Sequence, residues 1–274
     1  MFQYALGRRL SLNFNDELKF DVSWFGNIQK GETPRELEVD KFNIDLKKAA
    51  ETEIALAKGG FIRRMLVKII YKIRGRLNRT YFYQFHPALL KKRKHIYLEG
   101  YFQSYKYFEF ARETILKDFV LKKGYSAEAL EISKDIKQTE QSVALHVRRG
   151  DFAASCIDWN GLCNVAYYEK AIAEIQKKHS NIKLFIFSDD IEWARENLKF
   201  KQPMVFVSRP AFSAAEELLL MSLCKHQITA NSTFSWWGAW LNQNPEKIVV
   251  TPSVWLVAAN IKTDDLLPPD WIKL

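Results

Sequence analysis

A chain of 274 residues that is 47% hydrophobic and 27% charged can bury a sizeable core, which sets aside the disordered and fibrous classes. It holds no run of about 20 apolar residues, the length a transmembrane helix needs, and its first residues do not read as a signal peptide. The net charge of +9 is concentrated: Ile54 to Leu98 carries twelve Lys and Arg and no Asp or Glu, and setting those twelve aside leaves −3 for the rest.

In chain order, Met1 to Leu10 reads as a helix with no capping residue before it. Leu18, Phe20, Val22 and Trp24 alternate as a strand, and residues 44–57 read as a helix. Inside the basic segment, Ile62, Met65, Leu66, Ile69, Ile70, Ile73 and Leu77 recur at helical spacing, with Arg63, Arg64, Lys68, Lys72 and Arg74 between them. Residues 58–79 are therefore expected to form a basic amphipathic helix. It either packs its apolar stripe on the chain's own core or lies on an anionic membrane surface. No nucleic-acid module accompanies the charge, so nucleic acid is not an expected partner. His95 to Ser104 reads as a strand ending in Gly100-Tyr101-Phe102-Gln103-Ser104, and Tyr105 to Leu121 as a helix.

A polar stretch from Lys122 to Gln141 follows, and two domains are expected, 1–135 and 136–274. The second has a regular rhythm. Val143 to Val147 is a buried strand, Tyr167 to His179 a helix, Ile182 to Phe187 a strand and Met204 to Val207 another. Ser213-Ala214-Ala215-Glu216 is a capping box opening a helix to Cys224. Gln227 to Ala230 is a strand, Phe234 to Asn242 a helix and Lys247 to Thr251 a closing strand. This alternation predicts an α/β fold with a parallel, helix-covered sheet. Cys156, Cys163 and Cys224 are odd in number and lack metal-site spacing, which fits a reducing, cytoplasmic setting.

Three loops follow three strands of that sheet and can converge on one crevice. The first carries Arg148 and Arg149, two guanidiniums that suit a phosphate-bearing ligand. The last, Asn231-Ser232-Thr233, opens a helix, where hydroxyls and free N–H groups suit an anion. A diphosphate held between the two is the economical reading, although either feature alone also occurs as a surface ion pair or an ordinary cap. Between them, Ser188-Asp189-Asp190 offers two carboxylates for a base or ribose, or for capping the next helix. Metal ligation is not expected, because no further His or carboxylate cluster lies nearby. His146, inside its strand, reads as a core histidine before a general base. Asp151 either braces an arginine or accepts a proton from an attacking hydroxyl. Trp236, Trp237 and Trp240 read as core.

His146-Val147-Arg148-Arg149-Gly150-Asp151 together with Asn231-Ser232-Thr233-Phe234-Ser235-Trp236-Trp237-Gly238 resembles the bacterial α-1,2-fucosyltransferases. Met1-Phe2-Gln3-Tyr4-Ala5, Gly100-Tyr101-Phe102-Gln103-Ser104 and Phe187-Ser188-Asp189-Asp190 extend the likeness over nearly the whole chain. The resemblance implies a GT-B architecture, two Rossmann-like domains facing a cleft, and inverting, metal-free transfer of fucose from GDP-fucose to a galactose 2-hydroxyl. It implies no cofactor beyond the donor substrate. Arg148 would hold the β-phosphate, with Arg149 in support; Ser232, Thr233 and Phe234 would complete the cradle; Asp189 and Asp190 would reach ribose or guanine. Tyr101 and Gln103 would face the cleft on the acceptor side. The acceptor would be a galactose-terminated glycan, such as a surface-polysaccharide precursor. Were that precursor lipid-linked, the basic helix would dock the enzyme on the inner face of the cytoplasmic membrane. Family members carry a strand and a Gly-Gly-Leu-Gly-Asn-Gln loop before the Met-Phe-Gln-Tyr-Ala helix, and this sequence opens at that Met. The expectation is an N-terminal domain without its first strand, with reduced or absent activity as written. A non-catalytic nucleotide-sugar binder, or a fucosyltransferase of another linkage, are the alternatives.

Overall fold

The computed structural model describes residues 1–26, 36–58, 84–91, 96–150, 163–256 and 263–274. The chain divides into two units, Met1–Val120 with Ile261–Pro268, and Leu121–Asn260 with Pro269–Leu274.

The first unit is built around helix α1 (Phe2–Phe14), which buries Phe2, Tyr4, Ala5, Leu6 and Leu10. It stops at Asn15, whose left-handed conformation a short polar side chain tolerates. Phe2 meets Phe108 edge-on at 5.9 Å. Tyr4 donates to Asp118 Oδ2 at 2.6 Å, and Arg8 Nε reaches the same oxygen at 2.9 Å, tying α1 to helix α3 (Arg112–Asp118). Near the end of the chain, Asp265 accepts from Phe85 N–H and pairs with Lys106.

Several expectations for this unit need correction. Leu18 to Trp24 is not a strand: Phe20 makes a single bridge to Lys48, and a 3-10 turn follows at Ser23–Gly26. The alternation is present in the sequence, but Trp24 stays exposed, so the pattern buries no face. Helix α2 runs over Glu51–Lys58, starting seven residues later than the expected 44–57 span. Residues 96–104 form no strand either, because Phe102 has φ +50°, which an extended chain cannot accommodate. The expected 105–121 helix begins instead as two 3-10 turns, Tyr105–Tyr107 and Glu109–Ala111, broken at Phe108 (φ −139°). The basic amphipathic segment, apart from Lys58, lies outside the described residues.

The second unit opens with helix α4 (Ala127–Gln138), which the polar stretch conceals because only Ala129, Ser133 and Ile136 are buried. The strands are β1 (Ser142–Val147), β2 (Lys183–Ser188), β3 (Met204–Phe206), β4 (His226–Ile228), β5 (Val249–Thr251) and β6 (Ile272–Lys273). All pair in parallel in the order β3-β2-β1-β4-β5-β6. The expected strands are all present. β6, two exposed residues long, is too short for any pattern to announce. This order is the Rossmann arrangement.

Alternate residues of each strand feed opposite faces. Val143, Leu145, Val147, Leu184, Ile186, Ile228 and Val250 pack against helices α5 (Val165–Gln176) and α6 (Ile191–Asn197). Ala144, Phe185 and Phe187 pack against α4 and helix α7 (Ala214–Leu223). Because both faces are covered, β1 reads as a continuous apolar run rather than an alternating one. Helix α8 (Thr233–Leu241) lies on α7 at Gly238, where an added Cβ would come within 2.5 Å of Met221 Sδ. Trp236, Trp237 and Trp240 are buried, as expected, with Trp271 against Trp236.

Candidate active site

In the order β3-β2-β1-β4-β5-β6, successive connections run outward in one direction from β1 and in the other from β4. The loops after β1 and β4 therefore diverge and leave a crevice at the strands' carboxyl ends, the usual ligand position in such sheets. Helix α5 fixes both lips. Tyr168 donates to the His146 carbonyl at 3.1 Å and Tyr167 to the Thr229 carbonyl at 2.7 Å, satisfying main-chain acceptors where the strands part.

On the β1 side the two arginines are held by the loop after β2. Arg148 Nη1 lies 2.9 Å from Asp189 Oδ2, and Asp189 Oδ1 accepts the Arg149 N–H at 2.9 Å. One carboxylate thus fixes a guanidinium and the backbone beside it. Gly150 is required by this arrangement, since a Cβ there would meet Asp189 Oδ2 at 2.5 Å. The Arg149 guanidinium stacks on Trp193 at 3.9 Å, with Asp190 at 4.0 Å from its Nε. That buried Nε makes no hydrogen bond among the described residues. Asp190 caps α6 instead, its Oδ1 accepting the Trp193 N–H at 3.1 Å. The two carboxylates, alike in sequence, thus have different roles.

His146 is buried, its ring 5.6 Å from that of Phe234, so the β1 lip touches the start of α8. Burial, and secondarily the Arg148 charge, pushes its pKa down to about 3. The imidazole is neutral at physiological pH and is a poor general base, in keeping with a core histidine. On the β4 side, Ser232 Oγ caps α8 by accepting the Phe234 N–H at 3.3 Å. The helix dipole places positive potential at Ser232, Thr233 and Phe234. Asn231 is turned inward, its Nδ2 donating to the Trp255 carbonyl at 3.4 Å and its Oδ1 near Cys163 Sγ.

Arg148, Arg149, Asp189, Asp190, His146 and the Asn231–Phe234 segment therefore share one end of one sheet. Asp151 lies outside the described residues. Tyr101 and Gln103 belong to the first unit, in the turn strained at Phe102; Tyr101 is exposed, and the buried Gln103 Oε1 makes no hydrogen bond among the described residues. Among the described residues, no group of three or more His, Cys, Asp or Glu is placed to hold a metal ion, and no helix is long and apolar enough to cross a membrane. Sequence reasoning overlooked Trp193, on which the Arg149 guanidinium stacks. The only signal for Trp193 was its place three residues after Asp190, the position whose N–H an aspartate cap takes.

The sequence profile of glycosyl transferase family 11 matches residues 68–274. The chain belongs to this family. It is a glycosyltransferase, and the matched stretch includes every residue of the crevice described above. The chain is 31% identical over its whole length to the O-antigen biosynthesis glycosyltransferase WbnK of Escherichia coli, covering 96% of that protein. It is 29% identical, again over its whole length, to an Escherichia coli alpha-1,2-colitosyltransferase, covering 94%. Over 53% of the chain it is 28% identical to galactoside alpha-(1,2)-fucosyltransferase 1 of Leontopithecus chrysomelas, covering 42% of that protein.

Proposed function

We propose that this family 11 enzyme transfers L-fucose from GDP-β-L-fucose to the 2-hydroxyl of a galactose-terminated glycan, with inversion. The observation that carries the reading is the pair Arg148–Asp189 at the switch point, at the same end of the sheet as the positive end of α8. A nucleoside diphosphate needs donors that stay charged, and Arg148 is one held in place before the ligand arrives.

The acceptor hydroxyl attacks the anomeric carbon on the face opposite the diphosphate, and its proton passes to Asp151, the carboxylate the sequence offers as base. The carbon–oxygen bond to GDP breaks, and its electron pair goes to the β-phosphate. Arg148 meets this growing charge, an effect typically worth a few kcal/mol, and Arg149, Ser232, Thr233 and the Phe234 end of α8 meet the rest. Asp189 serves by orienting the arginines. No metal is assigned a part. The architecture proposed is GT-B, with Tyr101 and Gln103 assigned to acceptor recognition.

The relatives support the linkage: a fucosyltransferase and a colitosyltransferase among them share the α-1,2 description. The O-antigen role of another, WbnK, supports a surface-polysaccharide precursor as acceptor. The colitosyltransferase, similar over the full chain, favours colitose as the second donor sugar to test. Incubation with each GDP-sugar and a β-galactoside should give an α-1,2-linked product from GDP-fucose, identified by NMR. Transfer from neither donor, with GDP binding intact, would favour a non-catalytic binder; a different linkage would overturn the acceptor assignment.

A further inference from the structure

Behind the arginine clamp runs a chain of hydrogen bonds that ends at a half-buried carboxylate. Glu217, on α7, accepts through Oε2 from Ser208 Oγ at 2.8 Å. Ser208 Oγ accepts in turn from the Ser188 N–H at 3.0 Å, and Ser188 Oγ accepts from the Asp190 N–H at 3.0 Å. Between Ser188 and Asp190 sits Asp189, which holds Arg148 and the Arg149 N–H. We propose that Glu217 is a positioning residue for the donor site, acting through Ser208 to fix the acidic loop that orients both arginines.

The direction of the relay follows from proton counting. A serine hydroxyl has one proton and two lone pairs, whereas an ionised carboxylate has only lone pairs. While Glu217 is charged, the Ser208 proton is committed to it, and the Ser208 lone pairs are turned to the Ser188 N–H. A protonated Glu217 brings a proton of its own, and that commitment is lost. Burial pushes Glu217 up to about 7, against the pull of its Ser208 hydrogen bond. Arg209, just after β3, favours the charged form, and Glu216 on the same helix opposes it. Arg209 is shared with Glu128 of α4 at 3.3 Å, and α8, which packs on α7, contributes no ionisable residue. The relay therefore switches in the neutral range.

The proposal rests on the reading that the arginines take the donor diphosphate, so the test has two independent readouts. Glu217→Gln and Ser208→Ala should each raise hydrogen exchange at the Ser188 and Asp190 amides roughly tenfold in the ligand-free protein. Each should also weaken GDP binding, measured by calorimetry at pH 8, by roughly tenfold, the scale of one charge-assisted hydrogen bond. The double variant should be no worse than either single one, because both break the same chain. Wild-type affinity should fall as pH drops from 8 to 6 more steeply than that of Glu217→Gln. Unchanged exchange at both amides in the two variants, or additive losses in GDP affinity, would overturn the relay. Raised exchange in a wild-type protein that binds no GDP would leave the relay standing and sink the diphosphate reading instead.

Discussion

At the scale of single residues, the proposed donor site depends on the unequal use of similar side chains. Asp189 and Asp190 are adjacent, yet one holds arginines and the other caps a helix. Arg148 and Arg149 are adjacent, yet one is braced by a carboxylate and the other stacks on an indole. Gly150 is the least conspicuous member and one of the most constrained, because a methyl group there would strike the Asp189 carboxylate. Gly150→Ala should therefore displace Asp189 and weaken GDP binding about tenfold or more, with little change in the urea midpoint. An alanine variant that binds GDP as tightly as wild type would show that Asp189 can hold Arg148 from elsewhere.

At the scale of elements, the second unit was largely legible and the first only in part, chiefly at its opening helix α1, for physical reasons. A strand covered on both faces must be apolar throughout, so β1 and β2 stand out in the sequence, and the capping box Ser213–Glu216 marks the start of α7. That same box drew attention to Glu216 and away from Glu217, which lies one position on. The charged loop after β1 and the hydroxyl-rich start of α8 could be read as a site because both interrupt apolar runs. In the first unit, local patterns competed with the fold and lost. The alternation at Leu18 to Trp24 found one partner residue, and the aromatic run near Phe102 suggested a strand where the backbone turns left-handed. The packing of α7 on α8 carries its own prediction. Gly238→Ala gains about 1 kcal/mol in helix propensity but overpacks Met221, at about 1–3 kcal/mol. A net loss of stability in urea is expected, and a gain would mean that Met221 swings away freely.

At the scale of the molecule, two buried histidines tie stability to pH. His146 is pushed down to about 3 and His226 to about 4, chiefly by burial. His226 is locked neutral by the Ile248 N–H on Nδ1 and by Gln141 on Nε2. Between pH 6.5 and 4 the unfolded chain binds protons at both positions and the folded one does not, so stability falls as pH falls through that window. Each unit of separation is worth about 1.4 kcal/mol. Glu217, pushed up to about 7, works in the opposite sense and offsets part of the loss. Unfolding free energy should therefore drop between pH 6.5 and 4.5, and His226→Gln should make the drop shallower; an equal slope in that variant would contradict the account. The central claim, however, concerns the switch point of the sheet. Calorimetric titration of GDP into the wild-type chain and into Arg148→Ala tests it most directly. The account predicts binding by the wild type and a loss of at least roughly a hundredfold in a variant that keeps its urea midpoint. Affinity within about twofold of wild type would contradict the assignment of this arginine as the diphosphate clamp.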